Sequence, residues 1–142
     1  MKQYQIVIDT NVFYAAMRSK RGASYKLLSL IDDGKFKINL SIPLICEFED
    51  VAKRNLNVLA VSETELDDIL DHICSVANRR KIFFLWRPFL KDPKDDFVME
   101  LAVEAQCDFI VTYNKKDFKG IEKFGIKAVT PKEFLQLIGE IS

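Results

Sequence analysis

The chain has 142 residues, enough to bury a sizeable hydrophobic core, and we expect residues 1–142 to form a single domain. With 21 basic and 21 acidic side chains the net charge is zero, so overall charge does not attract nucleic acid and any such binding depends on local patches. Three cysteines and one histidine argue against a disulfide scaffold and a Cys/His zinc site, and no apolar run is long enough to span a bilayer, so we expect a cytoplasmic protein.

Segments typical of strands and helices alternate along the chain. Apolar, β-branched stretches predict the strands, and apolar side chains repeated at helical spacing predict the helices. In chain order they are a strand at Tyr4–Ile8, a helix from about Asn11, a helix over residues 23–31, a strand over 36–41, a helix after Pro43, a helix that opens with a capping box at Ser62 and Glu65, a strand over 81–86, a helix over 97–105, a strand over 109–112, a short strand at Lys127–Val129 and a terminal helix capped by Thr130. Strands separated by helices favour βαβ crossovers. We therefore predict an α/β fold, a three-layer α/β/α sandwich with a central, mostly parallel sheet.

Acidic residues follow the predicted strands. In an open α/β sheet, ligands collect beyond the carboxyl ends of the strands. Asp9 directly follows the first strand, and Glu47 lies in the early turns of the helix after the second. Asp95 and Asp96 open the helix over 97–105, and Asp117 comes shortly after the strand over 109–112. Taken singly, each acid is explained by a helix cap or a solvated turn. Together at one edge of the sheet, they indicate a site.

Clustered carboxylates point to a particular chemistry. Like charges raise one another's pKa values and strain the fold unless a cation neutralises them. Oxygen-only ligands suit Mg²⁺ or Mn²⁺ rather than zinc or copper. Such a site leaves positions open for phosphate oxygens and favours attack by water on phosphorus. The pattern therefore predicts hydrolysis of phosphodiester bonds.

Four short segments also carry a family resemblance. They are Val7-Ile8-Asp9-Thr10-Asn11-Val12, Ser41 followed by Glu47, Asp92-Pro93-Lys94-Asp95-Asp96 leading into Leu101-Ala102, and Ile110-Val111-Thr112-Tyr113-Asn114-Lys115-Lys116-Asp117-Phe118. With these segments in this order, the chain resembles PIN-domain nucleases, and among them the toxin components of bacterial toxin–antitoxin pairs. The resemblance covers nearly the whole chain and implies a PIN-like fold and a ribonuclease that depends on Mg²⁺ or Mn²⁺.

The resemblance also implies roles for individual residues. The implied metal-binding and catalytic residues are Asp9, Glu47, Asp96 and an acid after Thr112, which we take to be Asp117. The implied supporting polar residues, which hold carboxylates or waters in place, are Asn11, Ser41 and Thr112. Asp95 is a further candidate metal ligand beside Asp96, with one of the two capping the helix while the other faces the metal.

Two positions require a choice. Glu47 and Glu49 both flank the apolar stripe of their helix, so periodicity does not separate them. Glu47 lies nearer the helix start by about 3 Å of rise, and the family spacing from Ser41 also points to it. Asn114 stands where many relatives have Asp. It stays a candidate metal contact, and Asp117 supplies the missing charge in this interpretation.

Partners follow from the same resemblance. It implies an RNA substrate, a small antitoxin that inserts a segment into the acidic groove, and a homodimer. Tyr113 and Trp86 are candidates for stacking on unpaired bases, with burial favoured for Trp86. The alternative is a catalytically weak or inactive PIN-like domain that binds RNA or protein, for which Asn114 is the supporting observation.

Overall fold

The computed structural model describes residues 3–79 and 93–142, with side chains for residues 3–79 and 97–142. Its strands are β1 (Tyr4–Ile8), β2 (Phe36–Leu40), β3 (Asn78–Arg79), β4 (Phe109–Val111) and β5 (Lys127–Val129). They form one sheet in the order β3-β2-β1-β4-β5, and each of these pairs is parallel. Because all these strands run the same way, their carboxyl ends lie along one edge, which we call the carboxyl edge.

Helices connect the strands and cover the sheet. They are α1 (Thr10–Arg18), α2 (Ala23–Ser29), α3 (Ile42–Lys53), α4 (Glu63–Val76), α5 (Pro93–Glu104) and α6 (Pro131–Leu137), with short 3₁₀ helices at Leu56–Val58, Lys115–Phe118 and Ile121–Phe124. The predicted three-layer α/β/α fold with a parallel sheet is confirmed. The predicted strand over residues 81–86 lies outside the described residues. Neither described stretch of chain contains a helix with the length and apolar character needed to cross a bilayer.

Helix capping explains where several elements begin and end. The Ser62 hydroxyl accepts from the Glu65 N–H, and the Glu65 carboxylate accepts from the Ser62 N–H, both at 3.1 Å, so the predicted capping box starts α4. Ser41 does not extend β2 as predicted. Its backbone leaves the sheet and its hydroxyl accepts from the Leu44 N–H at 3.4 Å, because an N-cap serine satisfies a helix donor that otherwise lacks a partner. Likewise α2 ends at Ser29, two residues earlier than predicted.

Aromatic contacts fix the helices against the sheet and against each other. Phe134 of α6 packs edge-to-face on Phe36 and Phe109, with ring centroids 5.4 and 5.7 Å apart. Phe13 of α1 stacks on Phe48 of α3 with centroids 4.5 Å apart, and both rings are buried. The contact between Phe13 and Phe48 holds the two helices that begin beside Asp9 and Ser41 in a fixed relation.

A group of neutral amides joins three neighbouring strands. We call Gln5 of β1, Asn39 of β2 and Asn78 of β3 the amide cluster. The Asn39 Nδ2 donates to the Gln5 Oε1 at 3.1 Å and to the Ile6 carbonyl at 3.3 Å. The Asn78 Nδ2 donates to the Gln5 Oε1 at 3.2 Å and to the Asn39 Oδ1 at 3.3 Å. These hydrogen bonds tie the strand order together, since a slipped register would separate the three side chains.

Candidate active site

The carboxyl edge gathers polar residues from three adjacent strands. Asp9 follows β1, Ser41 follows β2 and Thr112 follows β4. The strand order places β1 between β2 and β4. Asp9 therefore lies between the ends of its two neighbours, at the position where ligands bind in folds of this class.

Asp9 is a buried carboxylate held at both oxygens. It is 6% exposed and forms the N-cap of α1. The Thr10 N–H donates to Oδ1 and the Thr112 hydroxyl donates to Oδ2, both at 2.8 Å. Its own N–H donates to the Val111 carbonyl at 2.9 Å, which continues the pairing of β1 with β4. The carboxylate thus has a single defined orientation.

Asn11 and Thr112, two of the predicted supporting residues, connect Asp9 to the loop after β4. The Thr112 Oγ1 accepts from the Asn114 N–H at 3.0 Å and from the Asn11 Nδ2 at 3.4 Å. The Asn11 Oδ1 accepts from the Tyr113 N–H at 3.3 Å. Because the hydroxyl of Thr112 accepts from two donors, its proton is directed to Asp9. The third predicted supporting residue, Ser41, caps α3.

Burial and neighbouring charge both act on the pKa of Asp9. Burial raises it from 3.8 to about 6, the hydrogen bonds from Thr112 and Thr10 oppose the increase, and the negative charges of Glu47 and Asp117 add to it. Glu47 on α3 and Asp117 in the 3₁₀ helix after β4 are therefore close enough to affect Asp9. We call Asp9, Glu47 and Asp117 the acidic cluster.

The structure distinguishes between the two glutamates of α3. Glu47 is partly buried and acts electrostatically on Asp9. Glu49 is half-exposed and pairs with Lys53 at 3.2 Å, one turn further along the same helix. Of the two, Glu47 is the residue that α3 presents to the carboxyl edge, in line with the choice made from spacing.

The loop after β4 brings Asp117 towards the cluster rather than Asn114. Asn114 is exposed, and its side chain makes no capping hydrogen bond to the 3₁₀ helix Lys115–Phe118. Its carbonyl accepts from the Asp117 N–H at 3.0 Å, which begins the turn of that helix. Asp117 is partly buried, and its charge reaches Asp9. The negative charge that Asn114 lacks is thus present three residues later.

Helix α5 carries the remaining predicted acids. Asp95 and Asp96 lie in its first turn, but their side chains are outside the described residues, as is Asp92. The helix contacts the 3₁₀ helix after β4, so part of α5 packs beside the loop that carries Asp117. Sequence analysis did not single out Glu100, which is 2% exposed. The spacing of four between Asp96 and Glu100 was the available signal, because residues four apart share a helix face.

The donor set is consistent with a hard divalent cation. The acidic cluster offers only carboxylate oxygens, which Mg²⁺ and Mn²⁺ prefer. Among the described side chains, no group of three or more His, Cys, Asp or Glu lies close enough to hold a metal ion. A complete coordination sphere would therefore need an acid from the first turn of α5, or adjustment of the three acids around a bound ion. A cation here would also offset the burial and like-charge repulsion that raise the pKa of Asp9.

Comparison with known proteins adds two findings. The family model described as PIN domain matches residues 5–116. The fold is similar to that in the crystal structure of VapBC2 from Rickettsia felis bound to a DNA fragment from their promoter. The TM-score is 0.60 and the identity 15%, over 87% of this chain and 98% of that one. Comparison with curated protein sequences gave no match.

Proposed function

This chain belongs to the PIN-domain family, and we propose that it is a metal-dependent ribonuclease that hydrolyses RNA phosphodiester bonds. One observation carries the proposal. Asp9 is a buried carboxylate whose pKa is raised to about 6, with Glu47 and Asp117 beside it. Within residues 3–79 and 97–142, none of the three forms an ion pair with Lys or Arg. At neutral pH the fold gains no stability from the ionised form of such a group, so we attribute its presence to ligand binding.

We assign the binding of Mg²⁺ or Mn²⁺ to Asp9, Glu47, Asp117 and Asp96, with Asp95 as the alternative on α5 and Asn114 as a further contact. When bound, such an ion polarises a phosphodiester and promotes attack by water. The chain's own residues prepare the site. The hydrogen bonds that Thr112 and Thr10 donate favour the ionised form of Asp9 and keep its oxygens in place.

Exposed lysines near the cluster are candidates for phosphate contacts. In the described part of the chain, Lys116 and Lys119 make no ion pair, whereas Lys115 pairs with Glu133 at 3.1 Å. Lysine contacts to phosphate position a nucleic acid without distinguishing its sequence. We therefore assign the positioning of the RNA backbone to Lys116 and Lys119 before Lys115.

The cellular role we propose is that of a toxin in a toxin–antitoxin pair, acting in the cytoplasm as a homodimer. The sequence resemblance to toxin components supports this role, and so does the likeness in fold to the VapBC2 structure. The partner would be a small antitoxin protein with a segment that enters the acidic groove.

Cleavage of single-stranded RNA tests the proposed activity. We expect cleavage with Mg²⁺ or Mn²⁺, none with EDTA, and products that carry 5′-phosphates. Asp9→Asn should lower the rate by about 10³-fold or more, because it removes the most buried acid of the acidic cluster. Asp50→Asn is the matched control, since Asp50 is exposed on α3 and, among the described side chains, forms an ion pair with Arg54 alone. Equal cleavage by Asp9→Asn and the wild type would mean a contaminating nuclease or a wrongly assigned site.

A further inference from the structure

Exposed apolar side chains are unevenly placed around the acidic cluster. The large hydrophobic residues that the described part of the chain leaves exposed are Ile42 at 77%, Val58 at 43%, Tyr113 at 47% and Leu137 at 48%. Ile42 and Tyr113 come two residues after the last residues of β2 and β4. Helices α3 and α6 start at the carboxyl edge and lead away from it. Val58 comes after the end of α3, and Leu137 is the last residue of α6. The two groups therefore lie at opposite ends of the sheet.

Ile42 and Tyr113 lie on either side of Asp9. Asp9 follows β1, which lies between β2 and β4 in the sheet. Neighbouring strands are about 4.8 Å apart, so the ends of β2 and β4 are separated by about 10 Å across Asp9. Exposed apolar surface thus borders the acidic cluster on both sides.

Tyr113 is exposed but held in place. Its hydroxyl hydrogen bonds to the hydroxyl of Ser24 at 2.6 Å, and Ser24 is 1% exposed in the first turn of α2. Its N–H donates to Asn11, which also contacts Thr112, the residue that donates to Asp9. The ring is therefore anchored at its hydroxyl and at its backbone. An anchored aromatic ring with exposed surface binds a flat partner with little loss of side-chain entropy.

We propose that Tyr113 and Ile42 form a base-binding rim around the acidic cluster. This inference rests on the proposed function. The bases of a single strand expose their faces and stack on aromatic side chains, whereas the bases of a duplex are stacked on one another. The rim contacts bases through Tyr113 stacking and apolar contact with Ile42, while the acidic cluster receives the phosphate between them.

Binding to two short oligoribonucleotides tests the rim. The probes are a fluorescein-labelled octauridine and an abasic strand of the same length, measured by fluorescence anisotropy in the Asp9→Asn background so that the RNA stays intact. Tyr113→Ala should weaken octauridine binding by about 5- to 100-fold, the range typical of losing one stacked base. Ile42→Ala should weaken it by about 2- to 5-fold through lost apolar contact. Tyr113→Phe, which keeps the ring, should retain most of the affinity.

Two comparisons make the outcome specific. Neither rim variant should change binding of the abasic strand, because that strand offers no base to stack. Leu137→Ala is the matched control, because Leu137 is 48% exposed against 47% for Tyr113 and lies at the opposite end of the sheet. This variant should leave both affinities unchanged. Unchanged octauridine binding by Tyr113→Ala, or equal losses with the abasic strand, would overturn the inference and leave the rim as a protein-contact surface.

Cleavage measurements separate this inference from the proposed function. If the wild type cleaves RNA but Tyr113→Ala binds octauridine as tightly as Leu137→Ala does, the inference fails and the proposed function stands. If the wild type shows no metal-dependent cleavage but base-dependent binding is lost in Tyr113→Ala, the rim is upheld and the nuclease proposal fails.

Discussion

The amide cluster and the acidic cluster each contain one buried polar side chain, Asn39 and Asp9, and they differ in charge. The amides of Gln5, Asn39 and Asn78 are neutral and hydrogen bond to one another across three strands. Asp9 is also buried and hydrogen bonded, but it carries a charge that burial and two neighbouring acids disfavour. The amide cluster stabilises the native strand order, whereas the acidic cluster lowers stability at neutral pH, and we attribute it to the proposed function.

After the loss expected for Asp9→Asn, the next largest effect separates two acids on one helix. Glu47→Gln should reduce RNA cleavage by about 10²- to 10³-fold, because it removes an acid that acts on Asp9 and that we assign to the metal. The rate of single-stranded RNA cleavage at saturating Mg²⁺ measures this effect. Glu49→Gln, two residues away and paired with Lys53, should cleave within about 2-fold of the wild type. Similar losses in both variants would remove the distinction between the two acids.

The next effect concerns the stability of the amide cluster. Asn39→Ala should lower the free energy of unfolding by about 2–3 kcal/mol, because it removes buried hydrogen bonds and leaves a cavity. Urea denaturation measures the change. Gln3→Ala is the control, since its exposed amide donates to the Gly34 carbonyl, and it should stay within about 0.5 kcal/mol of the wild type. If Asn39→Ala lowers the free energy of unfolding by less than about 0.5 kcal/mol, the amides do not hold the strands together.

The smallest expected effect is a gain in stability rather than a loss. The pKa of Asp9 is 3.8 as an ordinary carboxyl and about 6 in the fold, so the folded protein binds more protons between these values. The stability from this group is therefore full below pH 3.8 and is lost as the pH rises through about 6. At pH 7 without metal, Asp9→Asn should raise the free energy of unfolding by about 1–2 kcal/mol, less than the full pKa shift implies because the hydrogen bond from Thr112 is lost.

Denaturation of the wild type and Asp9→Asn across this pH range, with and without Mg²⁺, gives the measurement. The difference between the two proteins should shrink as the pH falls towards 4. Mg²⁺ should stabilise the wild type more than the variant, because the ion binds the folded state through Asp9. A variant that is less stable than the wild type at pH 7 in EDTA would show that the buried charge does not destabilise the fold.

Much of the site was predictable because parallel strands impose a simple geometry. The predicted bounds of β1 and β5 agree with the structure, and the capping box at Ser62 and the Thr130 cap of α6 are present as predicted. Once the strands are known to be parallel, residues that follow them must meet at one edge, so Asp9 was recognisable from its position. Thr112 was named from the family resemblance, and the predicted strand over 109–112 included it, whereas β4 ends at Val111. Asp95 and Asp96 stay predictions as ligands, since their side chains lie outside the described residues.

Other features depended on contacts that a linear pattern does not contain. The amide cluster was not predicted, because Gln5, Asn39 and Asn78 are distant in sequence and meet only when β2 lies between β1 and β3. The buried position of Glu100 was missed because α5 holds several acids and the sequence does not show which of them is buried. The anchoring of Tyr113 by Ser24 joins residues 89 positions apart.

The sequence by itself determined most of the strands and helices and their order, though not β3, and with them the edge at which acids collect, because hydrophobic periodicity and capping act over a few residues. Tertiary structure alone decided which acids interact and how strongly. The pKa of Asp9 depends on burial by the surrounding elements, on the hydroxyl of Thr112 after β4, and on the charges of Glu47 and Asp117. Desolvation and Coulomb energies depend on distance in space, which the order of residues along the chain does not specify.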